Sequence, residues 1–270
     1  MSKKPRPGSE GSQMNNLIPL LLLSGITDST ARVDVILSLV ETSAEPHAEQ
    51  IASIVQSFAL AGARGGFAEV GTRPDRSNVN LLSDIEFEPG KVSFKLAVEH
   101  IHFGAFQTLR NMLGNISHAQ PFIRRIIVSD AESKGVAPIT AAEITDENQD
   151  DLYPPISSQV ATYIDWGSAG SSKVRRFLVE FSQPPDALEV AALSDWIRPW
   201  CVMLEVAAFA LPFDVQESDS FVGTVTQFDE VTLELVIDRF MASEAAWNVL
   251  INMIGSYALK HSRVSKVSID

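Results

Sequence analysis

With 270 residues, 45% hydrophobic and 20% charged, the chain is long enough for two ordinary domains or one large one and too apolar to stay disordered. Its single cysteine, Cys201, excludes an intramolecular disulfide framework and a cysteine-rich metal site. The formal net charge of -13 opposes contact with a nucleic-acid backbone, and any partner it attracts by charge is basic.

Residues 1–16 read as a disordered basic tail carrying Lys3, Lys4 and Arg6. The first apolar run, LIPLLLLSG from Leu17 to Gly25, falls short of the ~20 apolar residues of a membrane helix. Pro19 interrupts it and no small-residue cleavage site follows cleanly. It reads as a buried strand or packing arm, and the chain as cytoplasmic with no membrane partner. RVDVILSLV, from Arg32, is the next strand, and HAEQIASIVQSFALAGA, entered after Pro46, is the first helix. GGFAEV near Gly65 is a weaker strand. In KVSFKLAVEHI, from Lys91, Val92, Phe94, Leu96 and Val98 alternate with Ser93, Lys95, Ala97 and Glu99, the period of a strand with one buried face. The second helix is AFQTLRNMLGN, Ala105 to Asn115, and a strand, FIRRIIVSD, follows from Phe122.

Residues 131–172 show no sustained period and read as an acidic linker or insertion, with AAEITDENQDDLYPP at its centre. Beyond them the same order returns. VRRFLVEFS from Val174 is a strand, and ALEVAALSDWIRPWCVMLEVAAFAL is a helix entered at Pro184-Pro185-Asp186, with a kink or break expected at Pro199. A weak strand, PFDV or SFVGTV, precedes the strand EVTLELVIDRF from Glu230. The helix AWNVLINMIGS, Ala246 to Ser256, and the strand RVSKVSID close the chain. The two late helices share five of eleven residues, and Phe106 and Trp247 lie 141 positions apart. The expected fold is therefore α+β: two tandem ferredoxin-like (βαββαβ) domains, residues 17–130 and 173–270, related by internal duplication in a pseudo-twofold arrangement.

On the first of these helices Phe106, Leu109, Leu113 and Ile116 form one stripe, and on the second Trp247, Leu250, Ile251, Ile254 and Tyr257 do the same. Asn111 and Asn252 fall almost opposite, with Gln107, Asn248, Gly114 and Gly255 beside them. A mid-helix glycine costs ~1 kcal/mol against alanine, so a matched pair invites a reason. These six residues are expected to meet each other or a partner helix; plain inheritance from a common ancestor is the alternative.

Candidate chemistry is sparse. His100 and His102 stand two apart at a strand end, a spacing that places both on one face and permits metal chelation, with Glu99 or a loop acid as third ligand. Arg64, Arg73 and Arg76 flank glycines in a loop suited to an anion, or simply solvated. No nucleotide fingerprint or nucleophile motif is present, and Cys201 lies in an apolar run that implies an inert thiol. The outer strand positions lack the aromatics and basic neighbours of RNA-binding sheets, so nucleic acid is an improbable partner. No cofactor is implied. The expected function is a non-catalytic binding or regulatory protein acting through a protein–protein surface, with a protein partner, basic by charge, or self-association. The other reading is an enzyme or a small-ligand or metal-binding protein with a site between the halves.

Overall fold

The computed structural model describes residues 19–26, 28–40, 47–69, 71–102, 104–116, 122–132, 139–140, 161–164, 174–209, 221–238, 244–261 and 263–269. These residues form a mixed α+β structure with two sheets and four α-helices. The basic tail and the acidic patch of the connection lie outside them.

In the first part of the chain the strands are β1 (Leu20–Ser24), β2 (Ala31–Leu39), β3 (Asn78–Leu81), β4 (Glu86–Glu88), β5 (Lys91–Glu99), β6 (Ile123–Asp130) and β7 (Ile139–Thr140), with helices α1 (Ala48–Ala63) and α2 (Gly104–Ile116). The sheet order is β3-β5-β2-β6-β1-β7, and β4 also pairs with β5. In the second part β8 (Ala161–Ile164), β9 (Arg175–Phe181), β10 (Phe221–Gln227), β11 (Thr232–Asp238) and β12 (Val264–Ile269) accompany α3 (Ala187–Glu205) and α4 (Glu244–His261). That sheet runs β10-β11-β9-β12-β8. Seven and five strands exceed the four of a bare βαββαβ sheet. The extra members include β1, parallel to β6, and β8, parallel to β12. Part of the stretch read as linker thus enters the sheets, as β7 and β8.

The alternation read from β5 is the alternation observed: Val92, Phe94, Leu96 and Val98 are buried, while Lys95 and Glu99 are exposed. Val33, Val35 and Leu37 on β2, and Phe177 and Val179 on β9, face the same kind of interior. GGFAEV is not a strand; it contributes one bridge, Ala68 to Ile101, and the strand expected there lies further on at Asn78–Leu81. Its glycines end α1 instead. The other weak strand falls on SFVGTV, at β10. Helix α3 runs unbroken through Pro199. Its start is fixed by a capping box: Asp186 Oδ1 accepts from the N–H groups of Leu188 and Glu189, and Glu189 Oε2 accepts from Asp186 N–H.

Two helix ends share one geometry. After α1, Gly65 N–H donates to Gly62 O and Gly66 N–H to Ala61 O. After α3, Ala207 N–H donates to Leu204 O and Ala208 N–H to Met203 O. Each is a Schellman closure, which needs a left-handed residue after the helix; φ is +82° at Gly65 and +54° at Ala207. The ends bring the two parts together. Gly66 lies so close to α4 that a Cβ there would sit 3.0 Å from Val249 Cγ1. Helix α1 packs on α3, and α4 packs on a short three-ten turn, Pro74–Arg76. One continuous apolar cluster runs from the first sheet through all four helices into the second. Among the described residues no helix is long and apolar enough to cross a membrane.

At Gly65 a Cβ would overlap the Pro74 carbonyl, whereas at Gly71, also left-handed, it would meet nothing within 4 Å. Gly71→Ala should therefore cost only the backbone strain, ~1–2 kcal/mol, and Gly65→Ala distinctly more. Equal losses in urea unfolding would remove the close approach of Pro74 as a constraint.

Candidate functional site

The expected interface residues sit as follows. Asn111 is half-buried on α2; its Nδ2 donates to Ala208 O at 3.1 Å, and its Oδ1 accepts from Gln107 Nε2 at 3.1 Å. One turn on, Asn115, which the sequence reading passed over, donates to Val206 O and Ala207 O at 2.9 and 3.0 Å. The carbonyls of the closing turn just beyond α3 are thus satisfied from the other half of the chain. Asn252 is buried, Asn248 and Gly114 half-buried. Gly255 faces Pro74, whose Cγ would lie 3.6 Å from an added Cβ.

The three arginines do not converge. Arg64 donates from Nη1 to the carbonyl oxygens of Asp195 and Trp196 and lies over the Trp196 ring, 5.3 Å from its centroid. Lys260 lies over that ring at 4.8 Å, and Trp196 Nε1 donates to Met253 O. Burial lowers the Arg64 pKa, opposed by the charge of Asp195. Arg73 pairs with Asp75 at 2.9 Å, and Arg76 is exposed. Two of the three guanidinium groups are thereby committed within the protein.

The histidines do not share a strand face, because β5 ends at Glu99 and His100 is left-handed, with φ +51°. That turn breaks the alternation on which shared chelation rests. His100 Nδ1 points to Glu69 Oε1 at 3.1 Å, while His102 Nδ1 accepts from Gly104 N–H at 3.1 Å. Glu69 Oε1 also accepts from Ser29 Oγ at 2.9 Å and Thr72 Oγ1 at 3.3 Å. A carboxylate can only accept, so the His100 proton belongs on Nδ1 and Nε2 is its basic nitrogen. Among the described residues no group of three histidine, cysteine or acidic side chains is placed to hold a metal ion. Sequence reasoning missed Glu69 and Thr72, three apart in one loop, and Ser29, which reaches them from another. The Cys201 thiol is pushed up to about 12, first by burial and then by Glu205, which makes it a poor nucleophile.

Two of the cavities on the described surface have lining residues that bear on function. One of about 400 Å³ lies at the end of the first sheet, lined in part by Asp28, Glu99, Asp130, Glu132 and Arg32. The other, of about 470 Å³, lies between α3 and the β10–β11 hairpin.

No family model matches the chain, and no curated protein does. The solved structures with some likeness include a protease from Helicobacter pylori, at 8% identity over 81% of this chain and 72% of that one, TM-score 0.20. Complex III2 from Candida albicans with Inz-5 bound follows, at 8% identity over 90% and 78%, TM-score 0.16. A conserved protein from Enterococcus faecalis V583 is likewise 8% identical over 87% and 76%, TM-score 0.16. Likeness this slight carries neither fold nor function across.

Two outcomes are expected. Asn111→Ala leaves the Ala208 carbonyl and the Gln107 amide without their partner and should lower unfolding free energy by about 1–2 kcal/mol; a loss indistinguishable from zero would mean that water replaces the bond. His102 has its pKa lowered, by burial first, against the opposing charge of Glu69. The unfolded chain then binds the proton more readily, so stability should fall as pH drops from the ordinary histidine value of 6.5 towards the folded pKa. In His102→Gln that part of the acid sensitivity should vanish, measured as the slope of unfolding free energy against pH.

Proposed function

We propose that the chain is a pair of related βαββαβ units, residues 17–130 and 173–270, packed helix to helix about a pseudo-twofold axis. We further propose that it works as a non-catalytic binding protein whose partner is a basic protein surface. Several features support the duplication. Four successive strands run β3-β5-β2-β6 in one sheet and β10-β11-β9-β12 in the other, the same path through corresponding strands. The edge pairing Leu20↔Arg125 recurs as Ala161↔Lys266, each residue 141 positions on. The central pairing Val35↔Phe94 recurs as Phe177↔Leu235, 142 and 141 positions on. The left-handed closures at Gly65 and Ala207 are likewise 142 apart. Chance offers no reason for strand registers and helix ends to repeat at one offset. Corresponding helices α1 and α3 touch each other, as a twofold axis requires.

Such packing commits the helix faces to the interior and leaves the outer sheet faces and sheet ends for recognition. The observation that carries the functional reading is the acid-lined cavity at the end of the first sheet. Four acidic residues, Asp28, Glu99, Asp130 and Glu132, line it together with one arginine, Arg32, on a chain of net charge -13. An imbalance of that sign favours an arginine or lysine from outside and speeds its approach. A cytoplasmic location belongs to the same proposal, supported by a single free thiol.

Neutralising the cavity in Glu99→Gln/Asp130→Asn/Glu132→Gln should weaken binding of a hexa-arginine peptide at least tenfold at physiological salt. Neutralising three exposed acids elsewhere, Asp84, Glu86 and Glu230, should change it less than twofold. The same loss in both variants would reduce the effect to overall charge and sink the assignment of this cavity.

A further inference from the structure

The second cavity lies where a sheet edge and a helix run side by side. Strand β10 ends its sheet, and among the described residues no strand pairs with its outer edge, so a row of backbone N–H and C=O groups faces outward. Across from it stands α3. Ala191, Ile197 and Cys201 line the gap from the helix, Val222 and Val225 from the strand, and Leu235 closes it from beneath. The gap continues past the cavity at one end. Phe181 N–H donates to Val231 O, which puts the β10–β11 turn at the end of β9 from which the chain enters α3. Two of the most exposed large apolar side chains stand at that end, Leu188 at 80% and Phe228 at 53% exposure.

The corresponding place in the other half is shut. There α1 lies directly on β3, and a Cβ at Gly62 would overlap Val79. The position 142 residues on holds Leu204, fully buried, where the first half has a glycine. This comparison rests on the duplication proposed above; the groove itself does not.

We propose that the α3–β10 groove binds an extended segment of a partner protein, which adds to the outer edge of β10 as a further strand. Backbone pairing to β10 supplies affinity, and alternate side chains of the segment enter the apolar gap. Seven residues of β10 offer ~20 Å of edge, room for about six residues of partner. The rim selects further. Asp195 is already opposed by the charge of Arg64, which leaves Glu205 beside Arg198 on the rim; on a chain of net charge -13 the segment carries a basic residue on the side that faces the helix. The reading differs from the acidic cavity in location and in chemistry, being apolar and strand-like.

The test uses the full chain as bait for a phage-displayed library of random dodecapeptides, with enriched peptides measured by fluorescence anisotropy. We expect apolar residues at alternate positions, a basic residue among them, and slowed hydrogen exchange confined to residues 221–227 on binding. Leu188→Lys/Phe228→Lys changes only exposed positions and should weaken binding at least tenfold with an unaltered melting temperature. Cys201→Phe fills the gap from within and should do the same. The variant that neutralises Glu99, Asp130 and Glu132 should bind these peptides unchanged, so that failure here and failure of the acidic-cavity reading are told apart. Several results overturn the proposal: no enrichment, binding indifferent to both groove variants, or protection elsewhere in the chain. Two further results assign the groove to another occupant and overturn it equally. One is a dimer of the chain that the Leu188/Phe228 variant dissolves; the other is a co-purifying apolar small molecule, seen by native mass spectrometry, that Cys201→Phe expels.

Discussion

Everything in this molecule depends on the way α1 and α3 end. A helix leaves its last carbonyls unsatisfied, and a buried carbonyl without a partner costs about 1–3 kcal/mol. Here the chain turns left-handed at Gly65 and Ala207, folds back one closure of hydrogen bonds, and then runs into the opposite half. After α3 that closure takes up the carbonyls of Val202, Met203 and Leu204, and those of the turn itself, Val206, Ala207 and Ala208, are met by Asn111 and Asn115 of α2. Polar satisfaction and apolar burial are solved at the same place. That is why the apolar cluster does not divide between the two sheets.

The same arrangement decides which surfaces are left for recognition. A two-layer unit ordinarily has one open sheet face and one helical face. Packing α1 on α3, with the apolar cluster continued through all four helices, buries the helix faces that meet there. Charged strand positions such as Lys95, Glu99, Arg176 and Asp238 then become the outer surface. Differences between the halves accumulate where the shared interior does not restrain them: an acid-lined end on one sheet, an open apolar edge on the other.

Much of the fold was legible because it is written in local periods. The alternation of Val92, Phe94, Leu96 and Val98, the apolar stripe from Phe106 to Leu113, and the capping acid at Asp186 each depend only on near neighbours in sequence. The errors came from segments without a period. GGFAEV has strand-like residues, yet Gly65 and Gly66 serve a helix end whose constraint, Pro74 on one side and α4 on the other, lies in the tertiary structure. β7 and β8 are too short to show alternation. Pro199 sits in a pattern that normally breaks, and burial of Trp200, Met203 and Leu204 beyond it keeps the helix running. For the site, spacing placed two histidines on one face, and a single left-handed residue at His100 separated them. Glu69, which gathers Ser29, Thr72 and His100, left no trace in sequence because its partners come from three separate loops.

Ala207 holds a conformation that an alanine adopts only at a cost of ~1–2 kcal/mol, at the place where the first half keeps a glycine. Such strain persists only where the surroundings over-determine the backbone, and here they do, since Asn115 grips the carbonyl of Ala207 itself. An interface that fixes a backbone from outside releases the residue inside it from having to favour that shape alone. Sequence drift is then tolerated at the restrained helix end, because the contact and not the residue keeps the geometry.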